Sequence, residues 1–235
     1  MTTATTVRAG GRAAARGSKV LGWLGEWVKG HRQAVGYLAA GAALAAGLFA
    51  WYLLSARTAE RNAGRELEQG RLAWESKNYP LAASVLSHVI ENYASTRAAE
   101  EGHVLLAQVR LAQGQWQQAI EVLARFAPDA DKNFRAQAYG LLGAAYENAG
   151  RSREAAAAYE RAAEAALYPF LRAQFLSDAA RAWVAAGDTG RALGAYRTIV
   201  EKLDSTPAVT EAKVRIGELT RGRGAGTGLW PGVKP

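Results

Sequence analysis

The sequence repeats itself at a fixed interval, and that interval restricts the fold more than any other feature. Counted from Gly150, the residues Tyr139, Leu142, Gly143 and Tyr146 come before, and Ala155, Tyr159 and Ala162 come after. The same offsets from Gly187 give Leu176, Ala179, Ala180 and Trp183, then Ala192, Tyr196 and Ile199. From Gly114 they give His103, Leu106, Ala107 and Arg110, then Ala119, Leu123 and Phe126, with Trp116 just past the turn. A weaker fourth copy centres on Lys77, with Gly70 and Ala73 before it and Tyr79, Ala82, Leu86 and Val89 after it. The centres lie 37, 36 and 37 residues apart. This spacing predicts two amphipathic helices per unit, joined at a turn where glycine supplies left-handed backbone. Small residues stand where the two helices approach most closely. One such hairpin cannot bury its own apolar face, so the units must stack.

Beyond the last unit, PAVTEAKVRIGELT places Val209, Ala212, Ile216 and Leu219 on one stripe. It reads as a closing helix that covers the final hairpin. Residues 221–235, RGRGAGTGLWPGVKP, are glycine-rich and read as a disordered tail. A nucleotide-binding loop is set aside there, because no strand precedes the glycines and no Gly-Lys-Ser/Thr occurs.

At the other end, residues 33–56 (QAVGYLAAGAALAAGLFAWYLLSA) run for 24 positions without a charge. As a helix this stretch measures ~36 Å, enough for the ~30 Å hydrocarbon core of a bilayer. The alternatives are a buried soluble helix or the apolar part of a cleaved signal peptide. The run is long for the first and has no polar face. For the second, the leader of residues 1–32 is long and YLLSARTAE offers no small-x-small cleavage site. An uncleaved anchor is expected, with Tyr37 near one end and Trp51 and Tyr52 near the other as interfacial aromatics. Basic residues flank it equally on both sides, but a short basic leader counts in full while a long folded domain translocates regardless of charge. That places the N-terminus in the cytoplasm and the C-terminal domain across the membrane. Before the span, Val20, Leu21, Leu24, Trp27 and Val28 share a helical face, which reads equally as an interfacial helix or as a juxtamembrane linker.

The net charge of +8 raises nucleic-acid binding as a class. The charge, however, sits at the ends: residues 1–34 carry a net +5 and residues 221–235 a net +3. Residues 55–220 hold 20 basic and 20 acidic side chains, so no nucleic-acid partner is expected. The chain has no cysteine and only His31, His88 and His103, which excludes disulfides and thiolate metal sites. His-Glu-x-x-His and Gly-x-Ser-x-Gly are both missing, and the carboxylates alternate with arginines along helices as on a solvated face. His88 and His103 fall within hairpin helices, where packing or surface roles are expected. No catalytic residue, metal site or cofactor is assigned.

The repeat, above all AQAYGLLGAAYENAGRSREAAAAYERAAEAA, resembles the tetratricopeptide repeat over residues 63–204, with two or three extra residues per unit. With the apolar run and the closing stripe, the resemblance leads to an all-α chain: one N-terminal transmembrane helix, then a helical-hairpin solenoid of about four repeats with a C-terminal capping helix. The expected segments are residues 1–32, a basic cytoplasmic leader; 33–56, the membrane helix; 57–220, the repeat domain; and 221–235, the tail. The order of parts is similar to bacterial inner-membrane proteins related to the ancillary subunit of the Sec translocon. In that family the repeat domain faces the periplasm and contacts the translocon and envelope chaperones, which is what the resemblance implies for partners and location.

The main expectation is a membrane-anchored scaffold, not an enzyme, that holds another protein at the inner membrane. In tetratricopeptide domains the first helix of each hairpin lines the concave face. Here that face would carry Leu67, Arg71 and Trp74, then Glu101, Val104, Gln108 and Leu111, then Gln137, Gly140, Ala144 and Glu147, and finally Gln174, Ser177, Arg181 and Val184. Arg71, Trp74, Gln108, Leu111, Glu147 and Arg181 are the candidate binding residues. The Lys and Asn cluster that holds a terminal carboxylate in chaperone-tail binders of this fold is missing, which argues against that ligand. A second reading makes the chain a structural subunit of a membrane complex, packed through the small residues Gly36, Ala40, Ala43 and Gly47 of the span.

Overall fold

A computed structural model describes residues 30–221 of the protein. The leader with its Val20 to Val28 stripe, and the tail from Gly222, lie outside the described residues. Nine helices and no strand occur among the described residues: α1 (Arg32–Glu75), α2 (Tyr79–Asn92), α3 (Arg97–Ala112), α4 (Trp116–Phe126), α5 (Lys132–Asn148), α6 (Ser152–Ala165), α7 (Pro169–Ala185), α8 (Thr189–Lys202) and α9 (Ala208–Arg221). The expected all-helical solenoid with a closing helix is the fold observed. The described residues divide into two units between Arg57 and Thr58.

In the first unit, Leu44, Leu48, Phe49, Trp51, Tyr52 and Leu54 of α1 all stand exposed. This helix is long and apolar enough to cross a membrane, and none of its apolar window is buried. The helix α1 is assigned from Arg32 to Glu75. Its segment ARTAERNAGRELEQG lacks proline, and most of its residues favour a helix.

In the second unit, the end of α1 pairs with α2, α3 with α4, α5 with α6 and α7 with α8. All four turns close in the same way. Lys77, Gly114, Gly150 and Gly187 have φ of 59°, 72°, 73° and 78°. The next amide then reaches back five residues to satisfy a carbonyl at the helix end: Asn78 to Ala73 at 2.8 Å, Gln115 to Arg110 at 2.9 Å, Arg151 to Tyr146 at 2.8 Å and Asp188 to Trp183 at 2.9 Å. Second helices start on side-chain caps where the sequence provides them, Asn78 accepting from the Leu81 amide and Asp188 from that of Arg191.

The large and small positions interlock as their spacing predicts. Ala82, Ala119, Ala155 and Ala192, five residues past each turn centre, are fully buried. Four residues further on, Leu86, Leu123, Tyr159 and Tyr196 are buried against the first helix of their own hairpin. A methyl group built on Gly143 would lie 2.7 Å from the Tyr159 ring, so that approach requires glycine. The core is three successive clusters, centred on Leu86, Leu123 and Ile199. The closing helix α9 buries Ala212 and Ile216 in the last of them, with Val209 and Leu219 partly buried beside it. It is entered as α3 is, by a buried threonine whose hydroxyl donates to the carbonyl three residues back: Thr96 to Tyr93 and Thr206 to Leu203, both at 2.7 Å.

Candidate functional site

The first helices of the hairpins, α1 from Thr58, α3, α5, α7 and then α9, present one face, and two clefts open on it. The first, about 510 Å³, is lined by Arg71, Trp74, Glu101, Val104, Gln108 and Gln137 among others. The second, about 540 Å³, lies between α7 and α9 and includes Phe170, Ser177, Asp178, Arg181, Glu211 and Arg215. Of the six candidate binding residues, Arg71, Trp74 and Gln108 line the first cleft and Arg181 the second. Glu147 is exposed and touches Arg181, while Leu111 packs against the middle core cluster.

The face is narrower than the sequence suggests. The stack takes up part of the row ten residues before the turn centres: Leu67 is buried and Gly140 is covered by the Phe175 ring, whereas Ser177 and the buried Val104 line the clefts. Leu67 therefore belongs to the first core cluster and not to the binding face. The reason is that consecutive first helices pack on each other, so the stack covers part of the apparent face. What remains open is the row six residues before each turn centre, Arg71, Gln108, Ala144 and Arg181, with its flanking residues.

That row is tied together by ion pairs between neighbouring hairpins. Arg71 bonds Glu101 of α3 and also approaches Glu68 at 3.8 Å. Arg181 contacts Glu147 of α5 at 3.4 Å and Asp178 of its own helix at 3.0 Å. The Tyr159 hydroxyl donates to Glu147 at 3.0 Å. Burial pushes the Asp178 carboxyl above its ordinary pKa, against the opposing pull of Arg181. The Tyr159 hydroxyl is raised as well, first by burial and then by the negative charge of Glu147. Trp74 has two roles: it lines the first cleft, and it packs on Tyr79 with ring centroids 5.4 Å apart.

The remaining candidates sit apart from the clefts. Gly36, Ala40, Ala43 and Gly47 are exposed on α1, and a methyl group added at Gly36 or Gly47 meets nothing within 4 Å. His88 accepts or donates at Glu66, 2.7 Å away, on the surface. His103 stacks on Phe126 with centroids 4.4 Å apart and bonds the Ala99 carbonyl at 2.9 Å. No group of three His, Asp or Glu side chains placed to hold a metal occurs among the described residues.

The inter-hairpin ion pairs were not anticipated from the sequence. The available signal was that Arg71 and Arg181 share one offset from their turn centres, with Glu101 and Glu147 on adjacent first helices.

Comparison with known proteins agrees with this geometry. Residues 38–169 match the family described as tetratricopeptide repeat-like domain. No curated protein matches the sequence. Among solved structures, MamA protein superposes with a TM-score of 0.54 at 22% identity, covering 68% of this chain and 82% of its own. The nearly identical TPR-like repeats of a Podosopora anserina protein named as a kinesin light chain give 0.53 at 20% identity, covering 69% and 87%. At these identities the likeness is one of fold.

Proposed function

The chain belongs to the tetratricopeptide repeat-like domain family, and we propose that it is a non-enzymatic scaffold, anchored in the bacterial inner membrane by α1, that holds a segment of another protein on its first-helix face. The observation that carries this reading is the cleft at Arg71, Trp74 and Gln108. There a guanidinium and an indole, the side chains in which binding energy most often concentrates, stand beside apolar Val104 and Leu105. The exposed apolar helix supports the anchor, since leaving Leu44, Leu48 and Phe49 in water is unfavourable by ~1.5–3 kcal/mol each relative to burial. The compartment follows from the basic leader: N-terminus in the cytoplasm, repeats in the periplasm. A role beside the protein translocon or envelope chaperones rests on the order of parts alone.

Alanine at Arg71 is the direct test. Its ion pair is partly exposed and so contributes at most ~1 kcal/mol to folding. Arg71→Ala should therefore leave thermal unfolding nearly unchanged and reduce recovery of the bound protein from gentle detergent. Trp74→Ala should do both, because the same ring packs on Tyr79. Full recovery with both substitutions combined removes the cleft from consideration.

A second reading is favoured by the exposed Gly36, Ala40, Ala43 and Gly47: a structural subunit that packs through its span. Ala40→Leu with Ala43→Leu raises hydrophobicity and keeps insertion, but blocks close helix contact. An unchanged assembly size would leave this reading without support.

A further inference from the structure

The cleft between α7 and α9 is edged by two triads of the same charge. Arg181 stands between Glu147 and Asp178, at 3.4 and 3.0 Å; Arg215 stands between Glu211 and Glu218, at 3.8 and 3.0 Å. Each triad has two carboxylates for one guanidinium, and so carries one uncompensated negative charge at neutral pH. Both guanidinium groups are already engaged, which leaves the cleft selective for cations. Its walls are apolar, with Phe170 and Val184 exposed and Tyr196 and Leu219 beside them. Ser177 also lines it, with a buried hydroxyl oxygen that has no hydrogen-bond partner. Such an oxygen is costly to leave unpaired and is satisfied by a ligand that brings a donor. A cationic segment with a large apolar side chain is the chemistry this cleft fits.

We propose that the occupant is the chain's own segment 222–235, seated by Trp230 against the apolar wall and by Arg223 and Lys234 against the triads. The segment has those two cations and no acidic residue, and its apolar side chains Leu229, Trp230 and Val233 are grouped together. It begins directly after α9, whose Glu218 and Leu219 line the cleft. Trp230 is nine chain steps from Arg221, a reach of up to ~30 Å. That exceeds the ~21 Å length of α9, so Trp230 reaches every part of the cleft. Tethering makes the encounter intramolecular, with an effective concentration of order millimolar, so a weak contact is enough to fill the site. The same segment of a second copy has the same charge, and the tether favours the chain's own, because free copies are far more dilute than the effective concentration of a tethered segment.

The chain has no cysteine, so paired cysteines report the contact cleanly. Gly228→Cys would be combined with Gln174→Cys in the cleft, or with Lys213→Cys, which is exposed on α9 outside the cleft and closer in sequence to the segment. Val184→Cys serves as a second cleft position should Gln174→Cys disturb folding. Full-length protein in detergent is oxidised mildly, and disulfides in the monomer are quantified by mass spectrometry. The proposal predicts cleft disulfides forming at least tenfold faster than the Lys213 pair. This advantage should vanish with Trp230→Ala or with Glu211→Gln and Glu218→Gln together, and shrink at high salt. Equal rates, or a faster Lys213 pair, overturn it. So do predominantly dimeric cross-links, which would name a second copy as the occupant, or cross-links from the cleft to a copurifying protein. The contact is internal to the chain, so its failure leaves the partner reading of the Arg71 cleft standing.

Discussion

Lys77 sits with φ at 59°, in the region that Gly114, Gly150 and Gly187 occupy at the other three turns. A side chain with a Cβ is strained there by roughly 1 kcal/mol, whatever room surrounds it. The strain is backbone only, since a methyl group at Gly150 would meet nothing within 4 Å. Lys77→Gly is therefore expected to raise stability by ~0.5–1 kcal/mol and Gly150→Ala to lower it by ~1 kcal/mol, both read from denaturant unfolding. His103 gives a second residue-scale expectation. Burial holds its pKa below the ordinary value, more strongly than the Ala99 carbonyl raises it. As pH falls below about 6.5 the unfolded chain takes up this proton first, so stability declines until the folded imidazole is protonated too. His103→Phe keeps the stacking place on Phe126 and removes the titration. Its melting temperature should fall less between pH 7.5 and 5 than that of the native chain. An identical decline in both would assign the acid sensitivity elsewhere.

At the scale of helices, the hairpin was legible in the sequence because its determinants are local. Gly150 and its Ala155 and Tyr159 lie within ten residues of one another, and their offsets encode the turn and the interlock directly. The ion pairs from Arg71 to Glu101 and from Glu147 to Arg181 span 30 and 34 residues. They depend on how successive first helices stack, which no single hairpin encodes. Leu67 escaped for the same reason: it looks like a face residue of α1 until α3 is laid against it. The α7–α9 cleft likewise exists only once the closing helix is in place. The interlock itself makes a contrast that can be measured. Gly143→Ala forces the Tyr159 ring to move, with an expected cost of ~1–3 kcal/mol. Gly194→Ala, on exposed α8 surface with nothing within 4 Å, should instead gain ~0.5–1 kcal/mol from helix propensity. Similar effects at both sites would mean that the small position is not a packing requirement.

For the whole molecule, the division of charge and apolarity gives the functional account. Residues 55–220 are balanced in charge, the leader and tail are basic, and the long uncharged run lies between the leader and the repeats. Within that balanced region the stacked first helices leave two clefts on one face. On the proposed function, this face, and not the opposite one or the span, holds a partner. This is tested most directly by quantitative mass spectrometry of proteins copurified from native membranes with three full-length chains. These are the unaltered protein, Arg71→Ala with Gln108→Ala on the first-helix face, and Arg125→Ala on the exposed surface of α4. The Arg71 and Arg125 ion pairs are solvent-exposed enough to contribute at most ~1 kcal/mol each, so all three chains should remain folded at the working temperature. The account predicts that the first-helix variant loses at least one partner tenfold or more while Arg125→Ala retains it. Retention of every partner by the first-helix variant, with loss from Arg125→Ala, would contradict it.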